Sequence, residues 1–383
     1  MNKRSIYLLS LGHMVTDLNQ GAIPAMLPFL VAELDLTYAA AAGVVFATNI
    51  TSTVVQPIFG HAADRFSNAW LLPMALLLAG FGVAMIGMVD NYHAILCFAG
   101  ISGVGIAAYH PEAARRVNLS GGEHKAEAMS IFGIGGTLGF ASGPLIITTA
   151  ILWFGLNGSL SVLIPVGLVA VLVLIYLPNP LATTKKSTGH GAKDDGDNWC
   201  AFSFLAICVT ARSVLFFGLL TFVPLYWVSI LGQTKVAGGM ALSVMTISGV
   251  LGNLVGGRFA DRFGNTRIIL FGFAMLLGLV PLFLWATNPA AALLVLIPIG
   301  FALMATYAPS VVLGQKYLPN HIGFASGVTL GIAVAAGGIA APFLGRIADI
   351  FGLVTVFSGL AILPLVNILI TYYLPEPTTQ RQL

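Results

Sequence analysis

The chain has 383 residues, of which 57% are hydrophobic and 8% charged, and its formal net charge at pH 7 is +3. Soluble domains carry about 25% charged residues, so 17 basic and 14 acidic side chains are too few to cover a soluble particle of this length. A mean hydropathy of +0.93 and 44 glycines instead fit an integral membrane protein, and the small charge without a basic patch excludes a nucleic-acid partner.

Met1 to Arg4 precede an apolar span longer than a signal-peptide core, with no cleavage-like site, which predicts a retained first helix. Twelve apolar stretches are long enough to cross roughly 30 Å of hydrocarbon. They are residues 5–31, 38–63, 69–89, 92–117, 124–153, 157–177, 200–230, 236–259, 266–287, 290–317, 321–348 and 353–374. The polar stretch 178–199, rich in Pro, Gly, Thr, Lys and Asp, reads as a cytoplasmic linker between six-helix bundles at 1–177 and 200–383. The expected fold class is therefore all-α, with twelve transmembrane helices in two bundles. Cys97, Cys200 and Cys208 lie in or beside apolar runs without metal or disulfide spacing, and read as small buried hydrophobes.

Ionisable groups inside such helices cost at least about 2.5–3.5 kcal/mol each, so each needs a reason. In the first helix His13, Asp17, Gln20 and Pro24 are spaced 4, 3 and 4 and share one face. Asp17 falls about 18 Å in from Ser5, near the midplane. The face reads either as a carboxylate satisfying neighbouring polar groups or as a protonatable group on a watery cavity.

The fourth helix ends in Tyr109, His110, Pro111, Glu112, Arg115 and Arg116. Glu112 and Arg116 stand i,i+4 with the carboxylate first, the favourable order for an ion pair, and Pro111 predicts a kink. An HxE pattern places its two side chains on different helix faces, and no other ligand spacing accompanies it, so no metal site is expected. The fifth helix is dense in glycine, as close helix packing requires. In the seventh, Arg212 offers a planar fork suited to a carboxylate, phosphate or phosphonate, or else neutralises Asp17 or Glu112 structurally.

The two halves repeat. GHAADRF at 60–66 returns as GRFADRF at 257–263, and Tyr109 and Pro111 return as Tyr307 and Pro309. Gly133, Gly139 and Pro144 return as Gly331, Gly337 and Pro342. Parallel repeats predict two halves related by an axis along the membrane normal, with the substrate site between them. Arg212 then aligns with Thr16, beside Asp17, and His110 and Glu112 have no counterparts, since Ala308 and Ser310 stand in their places. Setting aside Lys235, Arg346 and the intramembrane Arg212, the other fourteen of the 17 basic residues fall on one side, which predicts cytoplasmic termini.

Twelve helices, the repeat and the GxxxDR loops resemble the major facilitator superfamily over essentially the whole chain. The resemblance implies a gating role for Gly60, Asp64 and Arg65 and for Gly257, Asp261 and Arg262. The first loop departs after Phe66, with Ser67 and Asn68 where a glycine and basic residues are usual. Gly139, Gly143 and Pro144 resemble the GxxxGP element of drug/proton antiporters, although Ile147 and Thr148 replace its following glycines.

Residues 12–30, 56–66, 109–116 and 130–145 together are similar to the fosmidomycin-resistance exporters, bacterial inner-membrane carriers that expel a phosphonate antibiotic in exchange for protons. The similarity is strongest in the first half. It implies a monomeric inner-membrane antiporter whose partners are protons, lipid and a small anionic substrate, with no cofactor beyond the proton gradient.

The expected proton-coupling residues are Asp17, Glu112, His110 and His13. The expected substrate site comprises Asp17, Gln20, Tyr109, His110, Glu112, Arg115, Arg116, Arg212 and Tyr307. The rival reading is an uptake symporter for an organic anion. No nucleophile–base arrangement or sizeable soluble domain supports an enzyme.

Overall fold

The computed structural model describes residues 1–65, 70–122, 124–177, 196–329 and 333–376. Regular structure in them is helical: α1 (Lys3–Leu34), α2 (Tyr38–Arg65), α3 (Leu71–Ile86), α4 (Tyr92–Gly121), α5 (Lys125–Phe154), a 3₁₀ segment (Gly155–Val162), α6 (Leu163–Tyr176), α7 (Trp199–Ser229) and α8 (Lys235–Phe263). There follow α9 (Asn265–Trp285), α10 (Pro289–Ala305), α11 (Tyr307–Tyr317), α12 (Ile322–Gly327), α13 (Ala333–Phe351), α14 (Leu353–Leu360) and α15 (Leu363–Tyr372).

Each span expected from the sequence overlies one helix or two successive helical segments among the described residues, and the protein is an all-α integral membrane protein. Eight helical stretches among the described residues are long and apolar enough to cross a membrane. α1 is long enough too, but His13, Asp17, Asn19 and Gln20 dilute its hydropathy. Exposed Trp153, Phe154, Trp285, Tyr372 and Tyr373 stand at helix ends, where amphipathic rings meet headgroups.

Capping follows local chemistry. Asn2, Asn91 and Asn288 accept backbone N–H bonds at the starts of α1, α4 and α10. Gly264, at φ 98°, makes the turn between α8 and α9. Among the described residues, two spans expected to be single are broken. The tenth divides at Thr306, where Pro309 in the next turn brings no N–H to the helical ladder. The twelfth divides at Ala361–Ile362; the eleventh carries α12 and α13 on either side of residues 330–332, which lie outside the described residues. α4, by contrast, remains one helix through Pro111.

The chain divides into two compact units, Met1–Lys185 with Val223–Ser243, and Lys186–Phe222 with Val244–Leu383. The last turns of α7 and the first of α8 thus belong with the first unit. Most of the expected linker lies outside the described residues. Its end does not: the Asp197 carboxylate accepts from the Asn320 N–H (3.1 Å) and lies 2.7 Å from His321 Nδ1, which ties it to the turn before α12.

In the first unit, α5 lies against α1 backbone to backbone. A Cβ on Gly135, Gly139 or Gly143 would overlap the carbonyls of Ser10, Met14 or Leu18 respectively. Steps of four on both helices keep the two in register, the close approach that small residues permit. Tyr109 fills the notch at Gly12, and its hydroxyl donates to the Leu9 carbonyl (2.7 Å). Around it pack Ile6, Leu72, Leu76, Phe132 and Val166.

In the second unit, Gly337 of α13 meets the Ser213 carbonyl of α7, which reproduces Gly139 against Met14. The repeat therefore extends to the packing. Cys208 is buried, but Cys97 and Cys200 are exposed on outer helix faces, contrary to expectation. An apolar run does not reveal which of its positions face lipid.

Candidate functional site

α1, α4 and α5 converge on one polar group. Asp17, one turn beyond His13 on α1, lies 3.2 Å through Oδ2 from His13 Nε2. Its other oxygen lies 2.9 Å from Nε2 of His110 on α4. The two imidazoles meet edge to face, with centroids 4.9 Å apart.

α5 supplies the floor. The Phe132 ring stacks on His13 at 4.0 Å, and the Phe132 carbonyl accepts from His13 Nδ1 at 2.8 Å. Beside it, Gly136 leaves room where a Cβ would run into the His13 ring and Asp17 Oδ2.

A carbonyl only accepts, so His13 carries a proton on Nδ1. In the neutral ring Nε2 is then a bare lone pair aimed at a carboxylate oxygen, an arrangement that needs a positive particle between them. His110 has the complementary freedom: its Nε2–H can donate to the ionised Asp17. The trio thus joins one fixed acceptor-facing nitrogen to one adjustable donor.

Two positions further along α4, on another face of the helix, lies a separate charged group. Glu112 is fully buried, and its carboxylate accepts from Arg115 Nε (2.9 Å), Arg115 Nη2 (3.1 Å) and Arg116 Nε (2.6 Å). Neighbouring charge-assisted bonds of this kind hold a carboxylate ionised and oriented. Gln20 turns elsewhere, its Nε2 donating to Asn49 Oδ1 on α2 at 3.4 Å.

In the second unit, Arg212 is buried in α7. Its Nε donates to Thr306 Oγ1 (3.0 Å) and to the Leu303 carbonyl (3.3 Å), and its guanidinium lies 4.9 Å from the centre of the Tyr307 ring. The break at Thr306 makes this possible, because Leu303 sits in the last turn of α10, where carbonyls lack helical partners. Among the described residues no carboxylate forms an ion pair with Arg212. Burying a guanidinium on neutral partners leaves its charge unbalanced.

The structure thus gathers His13, Asp17 and His110 into one group, Glu112, Arg115 and Arg116 into a second, and Arg212 and Tyr307 into a third. Tyr109, a substrate candidate by sequence, is enclosed in the packing against α1. Among the loop residues, Gly257 lies in α8, and Asp261 and Arg262 are exposed in its last turn, with Arg262 over the Phe263 ring at 5.2 Å. Gly60, Asp64 and Arg65 belong to the end of α2, and their surroundings lie outside the described residues.

Sequence reasoning passed over Phe132 and Gly136, which it read only as packing, and Leu303 and Thr306. The glycine density of α5 was a signal, though not one that distinguishes Gly136 from its neighbours.

The chain is similar to known transporters along nearly its whole length. It is 27% identical to the "Fosmidomycin resistance protein" of Escherichia coli K12 over 378 residues, covering 96% of this chain and 92% of that one. It is 28% identical to the "Uncharacterized MFS-type transporter YfnC" of Bacillus subtilis over 390 residues, covering 98% and 94%. The fold matches that of a D-xylose-proton symporter with a TM-score of 0.73 at 15% identity, covering 98% and 99%. The model of the Major Facilitator Superfamily matches residues 9–342. With that match over a helical, multi-pass membrane chain, the protein belongs to the Major Facilitator Superfamily of transporters.

Proposed function

We propose that this transporter is a proton-coupled antiporter of the bacterial inner membrane, with both termini cytoplasmic, that exports a small anionic compound such as a phosphonate by alternating access. The observation that carries the reading is Arg212, a buried cation whose partners in its own unit are all neutral. An incoming carboxylate or phosphonate would offer the fork a charged acceptor in place of the weak one it has, the Met304 sulfur 3.4 Å from Nη2, and balance its charge. The name of the Escherichia coli relative supports the choice of a phosphonate antibiotic.

The coupling proton belongs at the His13–Asp17 edge. With His13 Nδ1 committed to the Phe132 carbonyl, a proton between Nε2 and Oδ2 turns repulsion into a charge-assisted bond. Loss of that proton to the cytoplasm leaves two lone pairs face to face, and this differential biases the carrier between states. Glu112, held by two arginines, acts beside the trio as a fixed counter-ion that keeps Arg115 and Arg116 in place. The chain acts as a monomer and needs no cofactor beyond the gradient.

Inside-out vesicles provide the test. An inward-acid gradient should drive uptake of a fosmidomycin-type phosphonate into the lumen. Arg212→Lys, which keeps the charge but loses the planar fork, should weaken apparent affinity about tenfold. Asp17→Asn should abolish the dependence on the gradient. Accumulation that instead requires right-side-out vesicles would make the protein an importer, and phosphonate transport untouched in both variants would overturn the reading.

A further inference from the structure

His13, Asp17 and His110 hold two imidazole nitrogens and a carboxylate oxygen within 4.8 Å of one another. The geometry points to a binding site for one divalent late first-row transition-metal ion, of the Zn²⁺, Co²⁺ and Ni²⁺ class, ligated by His13 Nε2, His110 Nε2 and the Asp17 carboxylate. The ion shares its ligands with the proton proposed above, but its binding does not depend on transport.

Four observations support it. Both histidines turn the same atom, Nε2, toward the carboxylate, at 3.2 and 2.9 Å. A tetrahedral ion about 2.0–2.1 Å from each ligand sets ligand atoms roughly 3.3 Å apart; His13 Nε2 stands 3.2 Å from Asp17 Oδ2 and His110 Nε2 2.9 Å from Oδ1, so each histidine meets its own carboxylate oxygen near that spacing. Rotation of the carboxylate and the rings brings both nitrogens and one oxygen, which already lie within 4.8 Å of one another, onto a single ion.

Next, His13 donates its other ring nitrogen to the Phe132 carbonyl at 2.8 Å. That partner is the outer support characteristic of metal-bound imidazole: it fixes the tautomer with a lone pair on Nε2 and raises the basicity of the ring. His110 reaches the same state by carrying its proton on Nδ1. The room left by Gly136 lets the ring and the carboxylate stand side by side.

The ligand set also chooses its ion. Two imidazoles and one carboxylate suit zinc, cobalt and nickel, whereas Mg²⁺ and Ca²⁺ favour shells of oxygen. Finally, the side chains are 13%, 15% and 21% exposed, buried enough to be held rigidly and open enough for an ion to enter. Three protein ligands leave a fourth position for water. The HxE pattern in the sequence is not this site: Glu112 is occupied by Arg115 and Arg116, and the second histidine and the carboxylate come from α1.

The test is a calorimetric titration of the full chain, purified in detergent through a tag without histidine, with Zn²⁺, repeated with Co²⁺ monitored by its visible absorption. One ion should bind per chain, with a Co²⁺ spectrum of low coordination number. His110→Ala and Asp17→Asn should each weaken binding at least about tenfold. His321→Ala, at an exposed site elsewhere, should leave it unchanged, and Mg²⁺ should not compete.

Absence of a one-to-one Zn²⁺ event in the unaltered protein would overturn the proposal, as would equal displacement by Mg²⁺ or loss of binding in His321→Ala alone. Because the titration reads binding and the vesicle assay reads flux, failure of one is separable from failure of the other.

Discussion

Asp17 shows how one residue depends on three helices. α1 sets it one turn from His13, α4 brings His110 to its far oxygen, and α5 contributes the Phe132 carbonyl that decides the His13 tautomer. Gly136 is the residue on which this arrangement turns. In Gly136→Ala the new methyl group displaces the His13 ring or the Asp17 carboxylate, both of which can swing aside, so the fold should persist while the trio opens. Zn²⁺ binding and gradient-driven transport should then fall together by about tenfold or more, with the unfolding temperature within a few degrees of wild type. Transport at the full rate would mean that the trio has no part in coupling.

At the scale of the element, the α1–α5 pair explains why one glycine-rich helix mixes indispensable and expendable glycines. Gly139 faces the Met14 carbonyl, whereas Gly133, only six positions earlier, has nothing within 4 Å of where its Cβ would stand. Gly139→Ala should cost about 1–3 kcal/mol through overpacking. Gly133→Ala should be neutral or stabilising by up to about 1 kcal/mol, since alanine is the better helix former. Comparison of thermal unfolding in detergent checks both, and equal effects would contradict the packing. The sequence indicated that the helix packs closely, but periodicity alone did not indicate which glycines carry the contact, because a neighbour is needed to define a face.

At the scale of the whole molecule, the segments that enter α7 and leave α15 are tied to helix ends of the second unit. Beyond α15, the Glu376 carboxylate accepts from the backbone N–H groups of Asn265 (2.9 Å) and Thr266 (2.7 Å), which cap the start of α9. The Tyr317 hydroxyl donates to the Pro375 carbonyl at 2.6 Å, and the Tyr317 carbonyl accepts from the Asn198 N–H at 2.7 Å.

Partial burial pushes the Glu376 carboxyl up, but donation from Thr266 and Asn265 outweighs it and holds the group below its ordinary value of 4.5. A depressed folded value means that the cap stabilises above the ordinary carboxylate range and that this stability is lost as pH falls through the folded value. Glu376→Gln should therefore lower the unfolding temperature at pH 7, with the difference narrowing as the pH drops below 4.5. A difference that stays constant with pH would show that the ionised carboxylate is not the source.

The sequence by itself determined that the chain lies in a membrane, that it is helical and where its spans fall, because burial in lipid is written in composition and length. It also determined the internal repeat, since Tyr109 with Pro111 and Tyr307 with Pro309 keep their spacing. It singled out the ionisable residues, because charge in an apolar helix is conspicuous wherever it points. Only the tertiary structure decided the partners. His13 and His110 are 97 positions apart and meet through Asp17, Glu112 turns to two arginines on its own helix, and Arg212 finds the carbonyl exposed by a helix break. Pairing is a property of faces brought together by packing, and one helix read along its own sequence holds no information about what stands opposite.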